Sequence, residues 1–227
     1  MTAKPLVVPT SSLEVQKYGR QVAGHKNTED TKFLGLLQCN NGTILKPILK
    51  ESQRREVTFY SRLQEASEPA LAELRGCVPT YCGCTHYTYG GFGQEYIVLE
   101  DLCARMLEPC IMDVKIGKRT WDPLATEEKM KNEQKKYAQC KQQYGFCIPG
   151  FQVFPHTCVV MVPALRNYLN GVGSTLCRAL LLQFLSQLWR IQRWSRQQRV
   201  LKLYSSSLLL VYDAAKLRSC CGTAAGM

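Results

Sequence analysis

Histidine is scarce: the 227 residues contain three, His25, His86 and His156, each isolated. None stands at a zinc-binding spacing from cysteine, and none joins a nucleophile–base arrangement. The twelve cysteines include no CxxC pair and are scattered from Cys39 to Cys221, with Cys82-Gly83-Cys84 short and partnerless. That placement argues against a disulfide scaffold and for reduced thiols in a cytosolic or nuclear setting. Long apolar runs are missing too. The most apolar window, from Ser174 to Trp189, carries Arg178, Gln183, Ser186 and Gln187, so it reads as a core-packing helix rather than a membrane span. The opening MTAKPLVVPT has no apolar stretch of signal-peptide length, which leaves secretion unsupported. No internal repeat is present, which excludes a solenoid. Acidic residues are few: 18 Asp+Glu face 29 Lys+Arg, a formal net charge of +11. Such an excess points to an anionic partner, whether nucleic acid, anionic lipid or a phosphorylated small molecule.

What is present suffices for a core. At 45% hydrophobic and 21% charged, the chain is neither disordered nor low-complexity, and its length suits one domain or two small lobes. Apolar runs from Phe33 to Cys39 and Thr43 to Ile48 flank Asn40-Asn41-Gly42, which predicts a hairpin. Val57, Tyr60 and Leu63 predict an amphipathic helix over 52–66. A turn-rich stretch is expected over 69–93, then strands at 94–100 and 110–116. Further expectations are a helix over 124–143, a strand over 146–154 interrupted at Pro149-Gly150, and a short apolar run at 158–162 closed by Pro163. A helix from about 174 to 199 and a strand over 201–212 complete the reading. This order predicts an α+β chain of two lobes with a cleft between them, divided as 1–101 and 102–227.

Four constellations bear on function. Lys46 lies inside an apolar strand, with Glu56 one crossover later on the next helix. Such a pair can place a cation on nucleotide phosphates; an edge-strand lysine snorkelling to water is the plainer alternative. Asp113 and Lys115 lie two apart, hence on one strand face. There a carboxylate can accept a hydroxyl proton while the lysine neutralises a transferring phosphoryl group; a surface ion pair on a sheet edge is the alternative. Lys129 and Lys136, with Asn132 and Glu133 between them, share a helical face that could grip phosphates or simply be solvated. Finally, from Arg178 to Arg218 eight basic residues face one acid, with Trp189 and Trp194 interleaved. That permits nucleic-acid contact, although tryptophans packed inward under solvated arginines are the commoner arrangement, and nucleic acid is the less favoured partner.

Read in order, these segments resemble the inositol polyphosphate kinases, and most of all the multikinase branch. The resemblance rests on Gln21-Val22-Ala23-Gly24-His25, Gly42-Thr43-Ile44-Leu45-Lys46, Leu99-Glu100-Asp101, Ser206-Ser207-Leu208-Leu209 and, most specifically, P-x-x-x-D-x-K-x-G from Pro109 to Gly117. It implies a two-lobed, protein-kinase-like fold. It also implies transfer of the ATP γ-phosphate to hydroxyls of inositol tris- or tetrakisphosphates, with ATP and Mg²⁺ as cofactors. By the same resemblance Lys46 holds ATP phosphates and Glu56 orients it, while Glu100, Asp101 and Leu102 form the adenine hinge. Asp113 contacts ribose and serves near the reacting hydroxyl. Lys115 bridges substrate and γ-phosphate, and Lys129, Asn132 and Lys136 line the inositol phosphate site. A monomer of nucleus and cytoplasm is expected. Two departures stand out. The family's Tyr-Gly-Arg segment after the strand ending at Phe154 is replaced by a direct passage into Ala164. No Ile-Asp-Phe metal motif follows Asp213, so the carboxyl-terminal lobe is expected to be truncated. The alternative function is therefore a catalytically impaired homologue that binds inositol phosphate, protein or nucleic acid.

Overall fold

The computed structural model describes residues 13–23, 35–153, 161–169 and 176–222. The Gly24-His25 end of the first matched segment, His156, the run at 158–160 and the start of the expected helix at 174 lie outside them. The chain forms two compact units, Met1–Ala104 and Arg105–Met227.

The first unit contains β1 (Val15–Lys17), β2 (Leu37–Cys39), β3 (Thr43–Pro47), α1 (Glu51–Glu65), α2 (Pro69–Arg75), β4 (Tyr81–Tyr89) and β5 (Phe92–Glu100). Its five strands lie in the order β1-β2-β3-β5-β4, with every neighbouring pair antiparallel. Gly42 takes φ +82 in the β2–β3 turn, a left-handed conformation that costs glycine no side-chain clash. The Asn41 side chain accepts from Thr43 N at 3.1 Å and Thr43 Oγ1 at 2.7 Å, fixing the hairpin. α1 begins where Gln53 Oε1 accepts the N–H groups of Leu49 and Lys50 at 2.6 and 2.8 Å, satisfying donors that a helix start leaves open. Strand alternation then divides the core. Leu37, Cys39, Leu45 and Tyr96 pack on one face of the sheet, while Ile48, Tyr60, Ile97 and Leu99, with Ile44 and Val57, pack on the other under α1. The 69–93 stretch is not the string of turns expected. It holds α2 and the nine-residue β4, whose small and polar residues hid a strand that the ladder to β5 makes.

The second unit contains β6 (Pro109–Ile116), α3 (Glu127–Lys135), α4 (Ala138–Tyr144), β7 (Phe146–Gln152), α5 (Met161–Leu169), α6 (Arg178–Gln197), β8 (Ser207–Asp213) and α7 (Ala214–Gly222). Its sheet runs β7-β6-β8, and Cys110, Met112, Ile148, Phe151, Tyr168, Leu180 and Tyr212 join one core. The helix expected over 124–143 is two helices. α3 ends at Lys135, and Tyr137 adopts φ 54 in the left-handed region before α4 begins. β7 is continuous through Pro149-Gly150, because the register against β6 shifts between Asp113 and Lys115. A bulge there accommodates a residue with no N–H to give. α5 carries Pro163 in its first turn, where a missing N–H breaks no helical bond, so that proline does not end the segment as expected. The last strand is shorter than 201–212, and α7 was not foreseen.

Candidate functional site

In the first unit Lys46 is held on an interior strand, since β3 lies between β2 and β5. That sets aside the edge-strand reading. Period-two alternation puts Lys46 on the face of Ile44, opposite Ile97 on β5 and toward α1. There Lys46 Nζ donates to both oxygens of Glu56, at 2.8 and 2.6 Å. The two side chains are 35% and 29% exposed, so the ammonium is fixed in direction while still open to a solvent-borne anion.

The strand that follows ends in Glu100, Asp101 and Leu102, and these three residues have different posts. Glu100 accepts from Thr80 Oγ1 at 2.7 Å and Thr80 N at 3.2 Å. Asp101 is 5% exposed. Its Oδ1 accepts from Cys103 N at 2.9 Å and Tyr18 Oη at 3.3 Å, and its Oδ2 from Gln38 Nε2 at 3.0 Å. Its own N–H goes to Gly42 O at 2.9 Å, so it ties this segment back to the β2–β3 hairpin. Burial pushes the Tyr18 phenol well up, with the thiol of Cys103 and the carboxylate of Asp101 adding to the effect; Tyr18 therefore stays a donor. Leu102, by contrast, is exposed.

In the second unit β6 is the middle strand, so Asp113 and Lys115 are not at a sheet edge. Cys110, Met112 and Val114 face the core, which leaves Ile111, Asp113 and Lys115 on the opposite face. Asp113 Oδ1 is buried and has no hydrogen-bond partner among the described residues. It stands opposite Gly150 on β7 and Leu209 on β8, neither of which offers a side-chain donor. A buried carboxylate oxygen left open costs free energy unless something donates to it. Gly117, at φ +92, then turns the chain away, its N–H donating to Gly145 O at 2.7 Å.

The helical face expected to carry Lys129, Asn132 and Lys136 is interrupted. Lys136 is the C-cap of α3, in extended conformation, so it leaves the helix that carries the other two. Lys129 lies 3.7 Å from Asp122, and Asn132 is exposed. Lys136 Nζ donates to Glu133 Oε1 at 3.0 Å. Two residues that sequence reasoning missed complete this group. Thr120, buried, donates from Oγ1 to Glu133 Oε2 at 3.1 Å. Lys141, 3% exposed, donates to Thr120 Oγ1 at 3.2 Å and to the carbonyl of Glu133. Burial pushes the Glu133 carboxyl up, but the hydrogen bonds from Lys136 and Thr120 and the charges of Lys136 and Lys115 outweigh it and hold it below its ordinary range. No local pattern marks Lys141 as buried, because its partners are Thr120, in the loop before α3, and the Glu133 carbonyl within α3.

Asp213 is engaged elsewhere. Its oxygens accept the N–H groups of Leu107, Glu108 and Ala215 at 3.0, 3.1 and 3.1 Å, clamping β8 to the entry of β6 and starting α7. Among the described residues no three His, Cys, Asp or Glu side chains converge as a metal site.

Comparison with known proteins follows the same lines. A family model described as inositol polyphosphate kinase matches residues 96–222. The inositol polyphosphate multikinase of Mus musculus is 30% identical over 213 residues, covering 86% of this chain and 53% of that protein. Inositol polyphosphate multikinase alpha of Arabidopsis thaliana is 30% identical over 223 residues, covering 85% of this chain and 77% of that protein. The chain spans about half the length of the mammalian relatives it matches. Among solved structures, the inositol phosphate multikinase from S. cerevisiae, crystallised with ADP and Mn²⁺, shares the fold at a TM-score of 0.58 and 23% identity, over 80% of this chain and 79% of that one. With more than half of its residues under the family model, and a relative at 30% identity covered over most of its length, the chain belongs to the inositol polyphosphate kinase family.

Proposed function

We propose that the chain is an ATP-dependent inositol phosphate kinase of the multikinase type, moving the γ-phosphate of ATP onto a hydroxyl of an inositol tris- or tetrakisphosphate. The observation that carries this reading is Asp113: a buried carboxylate oxygen with no donor, on the same strand face as Lys115, in a chain of this family. An acceptor hydroxyl would donate to that oxygen and release its proton there as its oxygen attacks the γ-phosphorus, with ADP as the leaving group. The same carboxylate contacts ribose. Lys115 neutralises the phosphoryl oxygens and the substrate phosphate beside them. Lys46, directed by Glu56, takes nucleotide phosphates. Glu100, Asp101 and Leu102 form the adenine hinge. Lys129, Asn132 and Lys136 take substrate phosphates. Mg²⁺, riding on the nucleotide, spreads phosphate charge when bound; no described residue is assigned to it. A monomer distributed between nucleus and cytoplasm accords with the net charge of +11, and fractionation of cells expressing a tagged chain tests that placement.

Calorimetric titration with ATP, followed by radiolabel transfer to inositol 1,4,5-trisphosphate, tests the activity. The wild type should bind ATP and transfer label, Lys46→Ala should lose nucleotide binding, and Asp113→Asn should bind ATP yet transfer at least about a hundredfold more slowly. A second reading is favoured by one surface. The outer side of α6 presents Trp189, 68% exposed, among Arg190, Arg193 and Arg196. A chain that binds RNA or inositol phosphate there but no nucleotide would be a binding module instead.

A further inference from the structure

The group Thr120–Glu133–Lys136–Lys141 does more than brace α3, and what it does rests on the kinase reading above. Thr120 has one hydroxyl proton. Because the Lys141 ammonium donates into Thr120 Oγ1 at 3.2 Å, that proton is directed to Glu133 Oε2, 3.1 Å away. The other carboxylate oxygen, Oε1, takes the Lys136 ammonium at 3.0 Å. Lys141 also donates to the Glu133 carbonyl, so a buried cation anchors the residue directly at its backbone and, through Thr120, at its side chain. Both oxygens of Glu133 are thus held, with 18% of the side chain exposed. It cannot swing out without breaking the Lys136 pair and orphaning a buried hydroxyl. The field of Lys115 also reaches it. One fixed negative charge therefore stands beside Lys136, within the field of Lys115, and both lysines are assigned to substrate phosphates.

A phosphate brought to this corner would have to displace the carboxylate from Lys136 and face it at close range. A hydroxyl brought there would instead donate a hydrogen bond to a fixed anion, which is among the stronger kinds. We propose that Glu133 is a specificity-determining residue, selecting inositol phosphates that present a free hydroxyl, rather than a phosphate, to the corner formed by Glu133 and Lys136. The site accordingly takes the less phosphorylated members of the class.

The test is equilibrium binding, without turnover, of inositol tris-, tetrakis- and pentakisphosphate to the full chain, wild type and with Glu133→Gln, Glu133→Ala and Glu133→Asp. Wild type should gain little or no affinity from the trisphosphate to the pentakisphosphate. Glu133→Gln should tighten the pentakisphosphate by about tenfold or more relative to the trisphosphate. Glu133→Ala, which also removes the charge, should move the ranking the same way if the glutamine variant folds poorly. Glu133→Asp keeps the charge and should keep the wild-type ranking, which a merely structural role for the side chain would not explain. If the charge-removing variants shift all three ligands by one common factor, the inference fails while the kinase reading stands. If the wild type binds no inositol phosphate at all, the kinase reading fails and takes the inference with it.

Discussion

Replacing Asp101 by alanine would remove the acceptor for three donors. Two of the bonds are short, from Cys103 N at 2.9 Å and Gln38 Nε2 at 3.0 Å, and the third, from Tyr18 Oη, is long at 3.3 Å. Hydrogen bonds to a charged group contribute about 1.5–3 kcal/mol each, so the two short ones together contribute about 3–6 kcal/mol. Against this stands relief from keeping a carboxylate buried, which recovers about 1–2 kcal/mol after relaxation. The net loss is about 1–5 kcal/mol, a large share of the stability of a unit this size, and it should lower the melting temperature of the first unit by about 5 °C or more. Asn is the informative control. It retains one acceptor oxygen for Cys103 N, and Gln38 can turn its amide to meet the new NH₂, so Asp101→Asn should cost only about 1–2 kcal/mol. The assay is thermal and urea unfolding followed by near-ultraviolet circular dichroism. An alanine variant melting within 2 °C of wild type, on the order of 0.5 kcal/mol or less, would refute the assignment of Asp101 as the tie between the β2–β3 hairpin and the end of β5.

Other expectations follow from individual contacts. Burial pushes the Asp213 carboxyl up, but backbone N–H groups of Leu107, Glu108, Ala215 and Lys216 outweigh it and leave it below its ordinary range. Its contribution is therefore complete above the unfolded value of about 3.9 and is lost as pH falls below that. The stability gap between wild type and Asp213→Asn in urea titrations should be widest near neutrality and close in acid. Gly42→Ala puts a Cβ at an ordinary 3.9 Å from Ala104 Cβ, so its cost is conformational, about 1–2 kcal/mol of unfolding free energy. Tyr168→Phe removes the hydroxyl that donates to Leu210 O at 2.7 Å in a fully buried position; it should cost about 1–2 kcal/mol, with Arg166→Ala at an exposed site as a near-silent comparison.

The residues themselves determined the local events. Asn40-Asn41-Gly42 between two apolar runs makes a hairpin, because the glycine takes the left-handed position that closes a three-residue loop. The spacing of Val57, Tyr60 and Leu63 gives α1 a face to bury, and the alternation in Pro109 to Gly117 puts Asp113 and Lys115 on one side of β6 in any sheet. The motif order also carried the family, through residues whose chemistry is legible without neighbours. Other features depended on partners far along the chain. β4, written in cysteine, glycine, threonine and tyrosine, is a strand because β5 supplies its hydrogen bonds. Asp101, read as part of an adenine hinge, is buried under Tyr18 and Gln38, 83 and 63 residues away. The run of charge after 124 looked like one phosphate-gripping helix. A left-handed Tyr137 splits it, and burial of Lys141 against Thr120 turns Glu133 from a solvated acid into a fixed charge. Burial and hydrogen-bond partnership are properties of tertiary contact, and so the fixed charge of Glu133 was decided there and not in the run of residues that encodes it.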